Sequence, residues 1–469
     1  MNLPLIISKD QKISLRRRLE AALIEAIESN RVVSGAPLPS SRELATATGI
    51  SRATVVRVYE ELVRIGYLES HPGGKTYVKE SPFPSTESRD TGSESEVDDN
   101  QLSGFGQHLL EIDLARGSSA DQPTLFYGAP PKWALPLNDW KLILRKNCVA
   151  LDPSQFEYLP HPFGSVALRS TVAQYLNRTH GLVCSPDQVV ISTNSQSPLN
   201  FISQLFIKTG DTAIVESPGH IGARNIFTAC GANVRAVPID DEGLNIEALK
   251  ECIDETVKII YVTPSFHDPT GVSMSLDRRR QLIQLADTHN IILIEDAWDS
   301  DHSYISPHLP GLQSIAPQNS IFFIYSFWKV LYPLSMVGVL VVPPRFVELF
   351  LKAKWLMDGI NPVLEHYTLA ELIEEGHLER HLKTVKRQLK VQRQNLLEVL
   401  VSAFRSSIHL PKQSSAYWLT ARFDPALVEQ SLFETVAEMG LKIVSTKCFY
   451  PDPADYPVGE FIIPFARRN

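Results

Sequence analysis

Cysteine is scarce in this chain of 469 residues. The five that occur, Cys148, Cys184, Cys230, Cys252 and Cys448, show no CxxC or Cys/His ligand spacing. That excludes a zinc module and a disulfide framework, and so odd and scattered a set reads as reduced thiols in a cytoplasmic protein. Long apolar runs are missing too; none approaches the roughly 18 residues that span a bilayer. The opening MNLPLIISKDQ has no charged segment ahead of its apolar patch and no small-residue cleavage site. Neither a signal peptide nor an anchor is expected, and no membrane partner. Positive charge is also short. The net charge of -8 argues against nucleic-acid binding by the chain as a whole, but an average can hide a basic module. What is present is an ordinary apolar fraction of 43%, enough for a sizeable core, in a length suited to two to four domains.

Residues 81–107, SPFPSTESRDTGSESEVDDNQLSGFGQ, are rich in Ser, Asp, Glu, Pro and Gly. Such a stretch buries too little surface to offset its ordering entropy, so it is expected to be a flexible linker. It divides the chain into residues 1–80 and 108–469, the latter with a small C-terminal lobe from about residue 345. There are no internal repeats.

Residues 1–80 hold 12 Lys and Arg against 9 Asp and Glu, a net +3. ISLRRRLEAALIEAIESN places Leu19, Ala22, Leu23, Ala26 and Ile27 on one helical face. PSSRELATATG carries Ser40 three residues before Glu43, a capping-box pattern, with Gly49 as the stop. A third helix opens at Ser51, presents Val55, Val58, Tyr59 and Leu62 on one face, and stops at Gly66. YLES and KTYV then read as two strands around HPGG. Three helices and a hairpin form a winged helix-turn-helix, whose second motif helix enters the major groove by its N-terminal residues. Those are Ser51, Arg52, Ala53 and Thr54, with Arg57 one turn on. Arg52 can reach a guanine edge or a phosphate, and the hydroxyls suit phosphates. LPSSRELATATGISRATVVRVYEELVRIGYLES followed by GGKTYV resembles the GntR-type DNA-binding domain. That resemblance implies a double-stranded DNA operator as partner, contacted by Ser41, Arg42, Ser51, Arg52, Thr54, Arg57 and, at the hairpin, Gly74.

From residue 186 onward, apolar β-rich runs alternate with helical stretches: QVVIST, TAIVES, ANVRAVPI, KIIYVTPS, IILIEDAW, SIFFIYSF and MVGVLVVP. Near-continuous apolar strands imply a mostly parallel sheet with helices on both faces. Ligands gather at the carboxyl ends of such strands, and the polar residues lie there. Asn194, Ser195, Gln196 and Ser197 follow the first run, His220 the second, and Asp268 the fourth. Asp296 ends the fifth, and Ser326 and Lys329 end the sixth. A lysine at a strand end is either solvated or a desolvated nucleophile. Pyridoxal phosphate needs an amine for a Schiff base, a carboxylate for its ring nitrogen and an anion site for its phosphate. Lys329, among Phe327, Trp328 and Tyr332, supplies the first, Asp296 the second, and the amides of Asn194–Ser197 at a helix start the third.

LPHPFGSVALRSTVAQYL, ISTNSQ, VESPGHIGAR, TPSFHDPTG, IEDAWDS and YSFWKVLYP resemble fold-type I aminotransferases. With the GntR-type module ahead of them, they resemble the MocR group of regulators. The resemblance matches Lys329 to the internal-aldimine lysine and Asp296 to the pyridinium-binding aspartate. It implies a homodimer in which Tyr158 of one chain completes the partner's phosphate site. It also exposes departures. Trp328 stands for a phosphate-binding serine and Met336 for a phosphate-binding arginine. Trp298 stands for the tyrosine on the ring oxygen, and His220 for a tyrosine near the ring. Ile462 stands for the arginine that grips substrate carboxylate. The chain ends at Asn469, short of a closing helix the resemblance leads one to expect. The expected function is a DNA-binding transcriptional regulator that senses a small-molecule effector through pyridoxal phosphate on Lys329, with little transamination. The alternatives are a working aminotransferase with an accessory DNA-binding module, and a cofactor-free regulator in which Lys329 is solvated or pairs with Asp296.

Overall fold

The computed structural model describes residues 14–29, 31–70, 75–79, 102–112, 130–150, 162–299, 301, 309–359, 362–411, 417–430 and 432–466. The chain folds as two compact units, Met1–Val97 and Asp98–Asn469.

In the first unit, helix α1 (Leu15–Glu28) starts at Ser14, whose hydroxyl accepts from the Arg17 amide. Its 3.6-residue period buries Leu19, Ala22, Leu23 and Ala26 on one side. Helix α2 (Ser41–Thr48) starts with a complete capping box. Ser40 Oγ accepts from Glu43 N at 3.3 Å, and Glu43 Oε2 accepts from Ser40 N at 2.7 Å. It ends at Gly49, φ +68°, a left-handed position a side chain would strain. Helix α3 (Arg52–Arg64) follows, turning Val55, Val58, Tyr59 and Leu62 inward. Strands β1 (Leu68–Ser70) and β2 (Thr76–Val78) pair antiparallel with Leu68 opposite Val78, both buried against the helices. Each such fully buried Leu or Val contributes about 1.5–3 kcal/mol, enough for a core of this size to hold the three helices. Gly74 lies outside the described residues.

The expected linker runs too far. Helix Gly104–Glu111 begins inside it, capped by Ser103 Oγ accepting from Gly106 N at 3.2 Å. Its His108 Nδ1 sits 3.4 Å from Ala229 O of the large unit. The polar composition masked a capped turn with Phe105, Leu109 and Leu110 behind it.

The large unit is built on β3 (Val189–Ser192), β4 (Thr212–Ser217), β5 (Asn233–Asp240), β6 (Gly243–Leu244), β7 (Val257–Val262), β8 (Ile292–Asp296), β9 (Ile321–Ser326) and β10 (Gly338–Val341). Their order in the sheet is β3-β10-β9-β8-β7-β4-β5-β6. The pairs among β5, β4, β7, β8 and β9 are parallel; β10 runs antiparallel to β3 and β9, and β6 antiparallel to β5. β3, β4, β9 and β10 are buried along their whole length, which is why they read as unbroken apolar runs rather than alternations. A long helix, His377–Phe404, leads to a second, antiparallel sheet. It holds β11 (Ile408–His409), β12 (Trp418–Phe423), β13 (Val444–Ser445) and β14 (Glu460–Pro464) in the order β11-β12-β14-β13. Among the described residues no helix is long and apolar enough to cross a membrane.

Candidate functional site

On the first unit, Arg42, Ser51, Arg52 and Arg57 are exposed, and Ser41 and Thr54 half-buried. Arg52 Nε donates to Ser41 Oγ at 3.5 Å, tying the start of α3 to the start of α2. The hydroxyls expected to meet phosphates also have local work. Ser51 Oγ accepts from Thr54 N at 3.2 Å and lies 2.8 Å from Thr54 Oγ1.

On the large unit, the sheet register gathers the site at one edge. Gly338 of β10 lies opposite both Ser192 of β3 and Ser326 of β9. Asn194 therefore follows one end of this row and Lys329 the other, two strand spacings or about 10 Å apart. Lys329 is only 3% exposed, so the solvated alternative is overturned. Its neighbours also differ from those expected. Nζ lies 4.5 Å from the centre of Trp298, 4.4 Å from Trp328 and 4.3 Å from Trp418. Phe327 instead packs in the core with Tyr175 and Tyr325. Trp298 and Trp418 stack at 5.4 Å and 17°. Carbonyls of the segment after β7 fix both indoles: Trp298 Nε1 donates to Phe266 O at 3.0 Å and Trp418 Nε1 to Pro269 O at 3.1 Å. Tyr417 Oη donates to the Lys329 carbonyl at 2.7 Å, holding the turn itself.

Two effects oppose at Nζ. Burial pushes the Lys329 pKa down to about 7, while Asp299 and Asp268 pull the other way; the three ring faces also favour the ammonium. Both protonation states are accessible near neutrality. The carboxylates acting on Lys329 are thus Asp299 and Asp268, not the Asp296 pairing of the cofactor-free alternative.

Asp296 ends β8, 4% exposed. Its Oδ2 accepts from Tyr261 Oη at 2.7 Å. Its Oδ1 is buried without a hydrogen-bond partner. Burial raises its pKa to about 6, against the pull of His220, Tyr261 and the Trp298 amide. Burial likewise lifts Glu216 to about 8, with Asp268 and Asp296 adding repulsion. An orphaned oxygen amid buried acids is poised to receive a cationic N–H.

His220 stands at the start of the helix after β4. Its Nδ1 accepts from Ala223 N at 3.0 Å and caps the helix Ile221–Ala229, and its ring lies 6.1 Å from Tyr261. Ser326 Oγ accepts from Trp328 N at 3.1 Å, closing the turn that presents Lys329. Tyr158 lies outside the described residues.

At the expected phosphate cradle the helix amides have a partner within the chain. Asn194 Oδ1 accepts from Gln196 N at 2.9 Å and from Ser197 N at 3.0 Å. The amides at the start of helix Gln196–Phe206 are therefore already taken. The next position is Pro198, which has no N–H. Ser195 begins this helix without a side-chain cap of its own, and the Gln196 side chain lies along Gly222, where a Cβ would stand 2.6 Å from its Nε2. Ile462 is 1% exposed on β14, opposite Thr420 of β12. Facing partners share a side of the sheet, and Thr420 Oγ1 donates to Pro269 O at 2.7 Å, so an apolar residue occupies the side of this sheet turned to the site. Met336 is 39% exposed and carries no charge. No cluster suited to a metal ion occurs among the described residues.

Trp418, Tyr261, Asp299 and Gly222 went unread in the sequence. Tertiary contacts of β12 with the large sheet's loops bring Trp418 to Lys329. Pro198, by contrast, stood in plain view as a missing donor.

Residues 126–454 match the family Aminotransferase class I and II, whose members typically use pyridoxal phosphate, and residues 15–78 match Bacterial regulatory proteins, gntR family. The chain is 27% identical over 458 residues to "Probable rhizopine catabolism regulatory protein MocR" of Rhizobium meliloti, covering 96% of this chain and 90% of that protein. It is 27% identical over 408 residues to "HTH-type pyridoxine biosynthesis transcriptional regulator PdxR" of Corynebacterium glutamicum, covering 85% and 82%. Kynurenine aminotransferase of Pyrococcus horikoshii shares the fold, with a TM-score of 0.66 at 23% identity over 73% of this chain and 85% of that one. So does the multiple substrate aminotransferase of Thermococcus profundus, with a TM-score of 0.67 at 21% identity over 78% and 93%. The chain belongs to the aminotransferase class I and II family, in the MocR-type arrangement that sets a gntR-family regulatory module ahead of the aminotransferase domain.

Proposed function

We propose that this chain is a dimeric transcriptional regulator. Residues 1–80 bind operator DNA, and the large domain senses a small molecule at Lys329 and Asp296 instead of running a transamination cycle. The observation that carries the reading is the enclosure of Lys329 Nζ by Trp298, Trp328 and Trp418. A lysine that must exchange protons and carbonyl partners through a cycle needs room to move. Here three indoles, two of them pinned by backbone carbonyls, hold its head in place. Ile462 adds to this by offering an α-carboxylate no charge. The relatives named as a regulatory protein and a transcriptional regulator, aligned over most of their length, support the same reading.

Pyridoxal phosphate, which the family implies, meets a divided site. The ring end suits it: Asp296 Oδ1 could accept a ring N–H, and Lys329 is desolvated. The phosphate end does not: Asn194 holds the helix amides, Pro198 has none, and Met336 supplies no cation. The residues present do not fit the phosphorylated cofactor.

DNA selected from a random pool by the full-length protein tests the regulator reading. A shared pair of half-sites should emerge, and its affinity should change when an aldehyde probe such as pyridoxal is added. Rapid turnover of a common amino acid in the presence of pyridoxal phosphate and an oxo acid, or a pool with no enriched sequence, would overturn it.

A further inference from the structure

We infer that Asn194 sets the ligand specificity of this site: it excludes phosphate monoesters and leaves the site to phosphate-free nitrogen heterocycles whose ring N–H meets Asp296. This deepens the sensing role proposed above and rests on it. Two independent observations carry it.

The first is the way Asn194 is held. Its carbonyl oxygen accepts from Ser192 Oγ at 2.8 Å. The same oxygen would stand 2.3 Å from a Cβ placed on Gly338. Any side chain at position 338 would therefore push the Asn194 backbone away, and glycine lets β10 seat it. The Asn194 amide then reaches over its own helix, with Oδ1 taking Gln196 N, Ser197 N and, at 3.3 Å, Ser197 Oγ. A helix start is an anion site because its first amides lack partners. Here two are satisfied by a neutral amide carbonyl and the third position is Pro198. An incoming phosphate would have to break these bonds to reach the two amides; the Ser195 amide and hydroxyl stand beside them, but Met336 brings no compensating cation.

The second is Asp296 Oδ1, buried to 4% residue exposure and without a hydrogen-bond partner. An unsatisfied buried carboxylate oxygen carries a desolvation penalty that a donor on the ligand removes. The neighbouring Asp268 adds negative charge around it, which favours a protonated ring nitrogen. The wall of Trp298 and Trp418 offers planar apolar faces for the ring. The site thus attracts one end of a pyridoxal-like molecule and refuses the other.

The test uses the full-length protein and intrinsic tryptophan fluorescence, since three indoles line the site. Pyridoxal, pyridoxal 5'-phosphate and inorganic phosphate are titrated into the wild type, Asn194→Gly and Asn194→Asp. The wild type should bind pyridoxal about tenfold or more tightly than its phosphate ester. Asn194→Gly, which frees two amides for charge-assisted bonds, should tighten the phosphate ester about tenfold or more relative to pyridoxal. Asn194→Asp keeps an acceptor on the amides and adds repulsion, so it should keep or sharpen the wild-type preference. If Asn194→Gly does not fold, Asn194→Asp still decides: a gain for the phosphate ester there overturns the inference. Tighter binding of the phosphate ester by the wild type, an unchanged preference in Asn194→Gly, or no quenching of the wild type by either aldehyde also overturns it. Selective pyridoxal binding that leaves DNA affinity unaltered would instead sink the sensing role and leave the selectivity standing.

Discussion

Tyr261 Oη donates to Asp296 Oδ2 at 2.7 Å across the parallel strands β7 and β8, and the opposite oxygen of the same carboxylate has no partner. The pair shows how the site is poised, with one oxygen used to hold orientation and the other kept available. The cost appears in the titration. Burial raises the Asp296 pKa from the ordinary 3.8 to about 6. The folded protein thus binds a proton more readily than the unfolded chain, and this contribution, full below pH about 4, is lost as pH rises through 6.

Asp296→Asn should remove that dependence. Above pH 6 the ligand-free variant should be more stable than the wild type by about 2–3 kcal/mol, while pyridoxal quenching weakens at least tenfold. Thermal unfolding of both proteins between pH 4 and 8 checks the sign. Parallel profiles would show that the carboxylate is not the source of strain.

Lys329 behaves in the opposite direction. Its folded pKa, pushed from 10.5 to about 7 by burial, means that the unfolded chain holds the proton more tightly. Stability is therefore lost as pH falls from 10.5 through 7. Lys329→Met keeps an unbranched chain among the three indoles and removes the charge. It should exceed the wild type by about 3–5 kcal/mol below pH 7, with the gap closing toward pH 10. Differential scanning calorimetry at pH 6 and 9.5 measures it. A gap that does not narrow at high pH would mean that packing, not ionisation, separates the two proteins.

The parts of this molecule that sequence made legible are those set by local pattern. The capping box of Ser40 and Glu43, the stop at Gly49 and the inward face of Val55, Val58 and Leu62 all follow from spacing along one helix. The buried strands announced themselves because both faces are covered. Lys329 and Asp296 were legible because each follows directly from a strand end. The indole enclosure was not, since it depends on β12 bringing Trp418 from a distant part of the chain, and the Asn194 bonds to the helix amides were not, because a side chain capping its own helix resembles an open one in sequence. The helix from Gly104 was hidden by the polar composition around it.

The homodimer implied by the family can be tested by sedimentation of the full-length chain at micromolar concentration, where a dimer mass is expected. A two-fold dimer carrying two DNA-binding modules requires paired half-sites, so removing one half-site from the selected DNA should weaken binding far more than altering the spacer sequence. A monomer at that concentration would contradict the proposal.

Arg52 and Arg42 should separate by role. Arg52 is exposed at the N-terminal end of α3, steadied by Ser41, where a recognition helix reads base edges. Arg42 sits exposed in the first turn of α2, which in such motifs crosses the backbone. Arg52→Ala should lose about 1–3 kcal/mol on the selected DNA and tolerate substitution at one base position. Arg42→Ala should weaken every duplex alike and reduce the salt dependence by about one unit of slope. Fluorescence anisotropy on selected and scrambled duplexes, across a salt series, reads both quantities. Equal loss on both duplexes for Arg52→Ala would make it a phosphate anchor. No loss for either variant would reject the docking of α3 in the groove, since these two guanidinium groups stand at the face such docking must use.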